Sequence, residues 1–468
     1  MPYVSSLPMN SKFLLLFLLL SSISEAQTNV RSVGAIGDGL ADDAPAIQKA
    51  VDEGNASLFF PKGKYRLSRT IKINLDQSGF AGFSGDGTAT IVMAGSGPAF
   101  HFVGTHGGTA APDSVKANVW EKQRTPMVEG FEIIGDHAEA DGIEATGTMQ
   151  ITLSRLVVRE CRHAVHLTDR NRNVLIADCH FYNNRGIGVF YDNVNLHQSN
   201  IVGSHISYNA GGGVVSHGGN VRNLHIGTCD IEGNHSKEGP PSANIWLDST
   251  GGSIGEVAIT GCTIQHTNKA PHSANIRIQG CGEDSSLERK EGRGTTREGN
   301  VTIGDNVFSD VQVNIEIQSA RGVTITGNTF WEGFEHDLLI SDSSHIVVTG
   351  NNFDRNPRYL VNGFKNAEKN GVTFLDCSDC ILSGNLISGV TQKAAAVSIT
   401  RGHRFSISNN SILDSDGVGL LLENVTASLI SDNLIRDDRP AEKKSKEPSL
   451  KIVGGTDNQI GSNFKGNP

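Results

Sequence analysis

Aromatic residues make up only 6% of this 468-residue chain, and Pro occurs fourteen times against fifty-four Gly. A core poor in rings is filled by Ile, Val and Leu, and many Gly with few Pro describe short strands joined by tight turns rather than long helices. Basic residues are also in deficit. Forty Lys and Arg against fifty Asp and Glu leave a net charge of -10, which argues against nucleic acid or an acidic membrane surface as partner. An anionic polysaccharide is not excluded, because it needs only a local basic patch. The seven cysteines are an odd set. Cys377 and Cys380 form a lone CxxC without a second pair or a nearby His, so zinc is disfavoured against a solvent-side disulfide or two stacked-turn thiols. Long apolar runs are missing too. The one at 13–20 is eight residues long, too short for a membrane span. It follows Lys12 and precedes Ser24, Glu25 and Ala26, the pattern of a secretory signal cleaved after Ala26, with Met9 as an alternative start. The protein is expected to be secreted or periplasmic, with no membrane span.

What the chain has in abundance is repetition. AVHLTD, GVFYD, GVVSH, NIWLD, NIRIQ and NIEIQ recur between residues 164 and 318, and each is followed by a second short strand such as VLIADCHF, NIVGSHI, VAITGCTI or VTITGNTF. The penultimate polar residue of the second consensus forms a column: Arg155, Cys179, Ser204, Cys229, Cys262, Asn306, Asn328, Asn351, Asn385, Asn410, Asn433 and Asn463. Most steps are roughly 22 to 25 residues, the signature of a solenoid whose units cannot bury a core alone. Two strands and their turns close one coil, and coils stack at about 4.8 Å. The expected fold is therefore all-β, a single-stranded parallel β-helix, with the Asn column stacked inward as a ladder. Cys179, Cys229 and Cys262, in the same column, are expected to be small buried thiols rather than metal ligands.

The segment VRSVGAIGDGLADDAPAIQKAVDEG followed by LFFPKGKYRLSRTIKI contains a strand, a Gly-Asp-Gly turn, an Asp cap at Asp42 or Asp43, a one-faced helix through Ala46, Ile47, Ala50 and Val51, and a strand entering the first coil. Such a unit closes the open end of a solenoid, which otherwise exposes apolar surface and an unpaired edge. It resembles the N-terminal cap of the pectate-lyase-like right-handed β-helix superfamily, which includes family 28 polygalacturonases and many phage tailspikes. The resemblance implies a right-handed helix of coils. The expected organisation is a signal at 1–26, a cap at 27–75 and the β-helix at 76–468. Long insertions at 104–126, 235–243, 281–299 and 354–371 lengthen particular coils, as loops on the functional face of a repeat fold do.

Chemistry is sought where outward positions stack. With Val165 and Leu167, Val189 and Tyr191, Ile245 and Leu247, Ile276 and Ile278, and Ile315 and Ile317 inward, one outward column reads His166, Phe190, Val215, Trp246, Arg277, Glu316. Its neighbour reads Thr168, Asp192, His217, Asp248, Gln279, Gln318. Asp192 and Asp248, two coils and about 9 to 10 Å apart, suit the acid and base of an inverting glycosidase, with His217 between them to orient or polarise either. Trp246, Arg277, Glu316 and Asp169 are the candidate sugar-binding residues, because an aromatic platform with carboxylates and a cation fits a sugar ring. The order Asp169, Asp192, His217, Arg277 also resembles the family 28 hydrolases. This chain has Leu-Thr-Asp at 167–169, a single Asp192, Ser-His-Gly at 216–218 and Arg-Ile-Gln at 277–279 where that family has Asn-Thr-Asp, an Asp pair, Gly-His-Gly and Arg-Ile-Lys.

Three classes of function follow: a hydrolase of a polysaccharide or oligosaccharide, a polysaccharide lyase acting on a uronate glycan, and a non-catalytic glycan-binding protein. No cofactor is expected for the first; a lyase would admit Ca²⁺. Glu335, His336 and Asp337, after Trp331, make a second candidate cluster.

Overall fold

The computed structural model describes residues 27–109, 111–236, 238–239, 241–250, 252–267, 270–280, 299–357 and 368–465. The expected signal segment, nearly all of the 281–299 insertion and much of the 354–371 insertion lie outside them. Each coil places strands on three faces, not the two strands expected, because the second consensus turns at its ladder residue: Ser253–Thr260 and Thr263–Gln265, on either side of Cys262, pair in different sheets. Ala243–Asp248, Ala274–Gln279 and Val311–Gln318 stack on face one, Ser253–Thr260, Gly299–Gly304 and Arg321–Thr326 on face two, and Thr263–Gln265, Val307–Phe308 and Thr329–Phe330 on face three. Every pairing is parallel and links one coil to the next. Val165–Ala177 and Ile187–Val202 run through the corner between faces one and two. The chain is a parallel β-helix, as its repeats require.

Inside, like stacks on like. Face two sends Ile176, Ile201, Ile226, Ile259, Ile303 and Ile325 into the core on successive coils. Face three sends in Phe308, Phe330 and Phe353, whose rings stack at 4.9 and 4.5 Å. A further aromatic cluster lies at the N-terminal end, where Phe60 packs against Tyr65, Phe83, Phe100 and Phe131. The helix Ala44–Asp52 covers that end with Ala44, Ile47, Ala50 and Val51 buried. Asp42 accepts the Ala44 N–H (3.2 Å) and the Ser68 hydroxyl (2.6 Å), while buried Asp43 accepts the N–H groups of Ile36 and Gly37 rather than capping the helix.

The Asn column is buried. Both the Asn328 backbone N–H and its amide donate to Asn351 Oδ1 at 3.0 Å, and Asn351 donates in turn to Asn385 Oδ1 at 3.0 Å and to the Ile325 carbonyl at 2.9 Å. From Asp178 to Asp432 the residue before each ladder side chain takes a left-handed backbone, with φ of 55° at Asp178, 68° at Gly327, 64° at Gly350 and 58° at Asp432. Gly, Asp and Asn reach that region at least cost, which explains the Gly-Asn and Asp-Asn pairs of the consensus. The column's first member differs from expectation. Ser154 pairs with Ala177, so Leu156, buried, stands opposite Cys179, and Arg155 is a left-handed corner residue whose guanidinium points out to Glu129. A column lined by backbone carbonyls accepts an apolar side chain as well as a polar one, so polarity misplaced that coil by one residue. Cys179, Cys229 and Cys262 do lie in the column, their thiols donating to carbonyls of Ala177, Gly227 and Thr260. Cys377 and Cys380 are buried free thiols, so the solvent-side disulfide does not form.

A second ladder runs where faces three and one meet. Asn184, Asn209, Asn234, Asn244, Asn275, Asn314 and Asp337 hand one hydrogen bond to the next at 2.7 to 2.9 Å. Asp337 is wholly buried, and burial pushes its carboxyl up to about 7. It ends this ladder and does not face solvent with Glu335 and His336.

At the same corner Asp310 and Glu332 share a hydrogen bond. Burial, then the bond to Asp310, pushes Glu332 up to about 9, whereas Asp310, despite its burial, is held below its usual range by His266, Glu332 and Ser309. The folded chain therefore keeps a proton on Glu332 that the unfolded chain releases near 4.5, so this group's contribution to stability declines as pH rises through the window from 4.5 to about 9. Glu332→Gln keeps a donor for Asp310 without that proton. It is expected to raise the melting temperature at about pH 8 and to leave it nearly unchanged at about pH 5. Equal melting curves for both proteins at the two pH values would refute the shared proton.

Candidate active site

Face one carries the two outward columns in the register expected. Successive pairings join His166 to Phe190, Val215, Trp246, Arg277 and Glu316, and Thr168 to Asp192, His217, Asp248, Gln279 and Gln318. The inward partners are buried: Val165, Leu167, Val189, Tyr191, Ile245, Leu247, Ile276, Ile278, Ile315 and Ile317. Period-two alternation thus turns the polar side chains to one surface, at about 4.8 Å per coil.

Asp192, His217 and Asp248 stand on three successive coils, but their side chains are not joined as one triad. His217 Nδ1 lies 3.0 Å from Asp248 Oδ2, and the Thr250 N–H holds the other Asp248 oxygen at 2.9 Å. The Asp248 side chain is 8% exposed and the His217 ring 62% exposed. The carboxylate faces Nδ1 of a mostly exposed ring, an arrangement suited to proton transfer at Nε2. Asp192 turns the other way. His166 Nε2 donates to Asp192 Oδ2 at 3.0 Å, leaving the Asp192 side chain 41% exposed. The His166 ring is fixed by stacking on Phe190, 5.3 Å away and 6° from parallel. His163 lies over both rings, at 5.4 Å and 5.1 Å. Burial pulls His163 down to about 4, and its Nδ1 accepts the Ile187 N–H, so it packs as a neutral ring. The result is an exposed carboxylate and an exposed imidazole on adjacent coils, each held from behind. His166 was visible in its column, but its bond to Asp192 is diagonal, between columns, and in-register stacking does not reveal diagonals.

The sugar-binding candidates are arranged less freely than expected. Arg277 lies over the Trp246 ring at 5.0 Å and donates to Glu316 Oε2 at 2.7 Å and to carbonyls of Ser242 and His272. One face of the indole is thus covered by a guanidinium whose charge is answered by Glu316, and Trp246 is half-buried. It is an edge-on wall of the groove and not an open platform, because the neighbouring coil fills the space above the ring. Pro241, Trp246, His272, Arg277, Glu316 and Gln318 border an open pocket of about 330 Å³. Asp169 does not join the columns. It is an exposed corner residue with φ of 55°, one position beyond Thr168.

Loops rise at both edges of this face. Arg170 donates to the Gly108 carbonyl at 2.6 Å and the Thr125 N–H to that of Met149 at 3.0 Å, which holds the 104–126 loop against the corner beyond Thr146 and Thr168. Pro241 and His272 stand at the opposite edge. Upstream, His101 Nε2 lies 3.1 Å from Thr146 Oγ1 and 3.4 Å from Glu144, and Thr146 bonds Thr168 at 2.7 Å, so polar groups continue the groove toward the cap.

Comparison with known proteins follows this geometry. The family model for a right-handed β-helix region matches residues 121–264 and 243–362. The model for rhamnogalacturonase A/epimerase, pectate lyase-like, matches 27–125, and that for periplasmic copper-binding protein (NosD) matches 357–467. A curated mannuronan C5-epimerase of Azotobacter vinelandii is 46% identical over 46 residues, which are 9% of this chain and 3% of that protein. Among solved structures, the tailspike of Escherichia coli bacteriophage HK620, determined with a hexasaccharide, superposes with a TM-score of 0.55 at 11% identity, covering 93% of this chain and 80% of that one. The Dettilon tailspike gives 0.54 at 12% identity, covering 91% and 68%. These structures share the fold.

Proposed function

We propose that this chain, which belongs to the right-handed β-helix family, is a secreted or periplasmic enzyme that hydrolyses glycosidic bonds of a polysaccharide lying along face one. The observation that carries the proposal is the pair Asp192 and His217, solvent-facing on adjacent coils, each locked by a buried or stacked partner. A surface that only binds sugar has no need to immobilise two proton-transfer groups, whereas catalysis gains from fixing them before substrate arrives. His217, oriented by Asp248, donates the proton to the leaving oxygen. Asp192 stabilises the oxocarbenium-like transition state and takes a proton from the attacking water, whose oxygen bonds to the anomeric carbon as the bond to the leaving oxygen breaks. Asp248 acts through His217 and is a positioning residue. Trp246, Arg277 and Glu316 wall the binding groove beyond it.

The exposed imidazole also supports a second reading, in which His217 as a base removes the C5 proton of a uronate and the linkage breaks by elimination. The Ca²⁺ that a lyase would admit does not fit the residues present: among the described residues no three His, Cys, Asp or Glu side chains converge to hold an ion. No step is routed through it.

Incubation with neutral and uronic-acid polysaccharides separates the readings. Hydrolysis is expected to release reducing ends without ultraviolet absorbance; both signals together mean elimination. Absence of both signals on every glycan, with binding retained, would overturn the enzymatic proposal.

A further inference from the structure

Five coils beyond His217, about 24 Å at about 4.8 Å per coil, face one meets a second group of polar side chains. Lys369 Nζ lies 2.6 Å from one Glu335 oxygen and Lys393 Nζ 3.4 Å from the other. Lys393 Nζ also donates to His336 Nε2 at 3.2 Å, and His336 Nδ1 lies 3.3 Å from the Thr373 hydroxyl. Thr373 belongs to the same outward column as Arg277 and Glu316. Two ammonium groups therefore share one carboxylate, and one positive charge is left over. Among the described residues Glu335 is the one carboxylate paired with either lysine: Arg355 and Glu368 pair with each other at 3.2 Å, and Asp416 pairs at 2.8 Å with Arg439, which Asp437 shares. His336 adds no charge, since burial pulls it down to about 4.

A single lysine would satisfy Glu335. The second is half-buried, and its burial lowers its affinity for a proton, so its placement costs stability that a purely structural role does not repay. Both lysine side chains still reach solvent, at 27% and 21% exposure. Between this group and Asp248 one outward column reads Gln279, Gln318 and Ser341, a strip of neutral hydrogen-bonding side chains beside the mutually paired Arg277 and Glu316 and the apolar Leu339 of the other column. Such a strip suits sugar hydroxyls and ends in a surplus cation.

We propose that Lys369 and Lys393, with His336 and Thr373, form a subsite for an oxyanion on a sugar, the carboxylate of a uronate or a sulfate ester, carried by the polysaccharide chain that reaches Asp192 and His217. This rests on the reading of face one as a polysaccharide groove and adds the charge of the substrate. Glu335 holds the two ammonium groups apart until the anion replaces it.

The test is affinity electrophoresis of the whole secreted protein in gels containing polygalacturonate, dextran sulfate or neutral dextran. Retardation is expected with one or both acidic polymers. Retardation by polygalacturonate alone assigns a carboxylate, and by dextran sulfate alone a sulfate ester. The double variant Lys369→Met, Lys393→Met should lose at least about tenfold in apparent affinity for the retarding polymer, and the double Arg variant should keep it. Glu335→Gln, which removes the competing carboxylate without removing a cation, should tighten binding several-fold, and stands in if the Met variant does not fold. Unchanged retardation in the Met variant, no tightening in Glu335→Gln, no retardation of the wild type by either acidic polymer, or an equal loss on neutral dextran would each overturn the subsite. Because the readout is binding, a wild type that cleaves nothing yet depends on these lysines would refute the enzymatic proposal and leave the subsite standing.

Discussion

Replacing His217 by Asn is expected to lower kcat on the cleaved polysaccharide by about a hundredfold or more, with the melting temperature nearly unchanged. Removal of a positioned proton donor or acceptor typically costs about two to four orders of magnitude in rate. The ring is mostly exposed, so little packing is lost with it. Asp192→Asn should behave alike, because the amide still accepts from His166 but carries no charge to stabilise a cationic transition state. Asp248→Asn separates positioning from direct chemistry. The amide keeps a polar oxygen beside His217 Nδ1, but the carboxylate charge is gone, so kcat should fall while KM holds, and the pH profile should shift with the imidazole. Full activity in both His217→Asn and Asp192→Asn would place the reaction elsewhere on the molecule.

Asn351→Ala should destabilise the fold by about 2 to 3 kcal/mol, the largest stability effect expected of a single polar substitution here. It leaves the Asn328 backbone N–H without its acceptor and the Asn328 amide with only the Ile303 carbonyl, and it takes the Asn351 amide from the Ile325 and Thr349 carbonyls, while Asn385 Oδ1 keeps the backbone N–H of residue 351. A buried group left without a partner costs about 1 to 3 kcal/mol. Asn463 ends the same ladder on the last described coil, partly exposed, where water can replace the lost bonds. Asn463→Ala should therefore cost under about 1 kcal/mol. Urea unfolding of both variants checks this. Equal costs at the two positions would mean that the ladder is not what holds the coils.

Much of this was legible from the repeats. Alternation with period two decides which side chains enter the core, and the coil period decides which residue stands above which. From these alone His166, Phe190, Trp246, Arg277 and Glu316 fall in one column and Asp192, His217 and Asp248 in the next, as the pairings have it. The Asn ladder was legible for the same reason, since an amide repeated at one position can bond the coils above and below it. The second ladder was harder to see because Asn234 and Asn244 lie ten residues apart on either side of an insertion, which breaks the period.

The sequence by itself thus determined the fold, the inward and outward sets, and the surface on which the polar residues assemble, because strand alternation and coil stacking are local rules that repeat. Only the tertiary structure decided how the members of that surface pair. Asp192 bonds His166 and not His217, Arg277 covers Trp246, and Lys369 and Lys393 meet at Glu335 from separate loops. Such contacts run diagonally between columns or across corners. They depend on the side-chain rotamers that neighbouring coils leave open and on where each insertion returns to the helix, and neither has a period for the sequence to display.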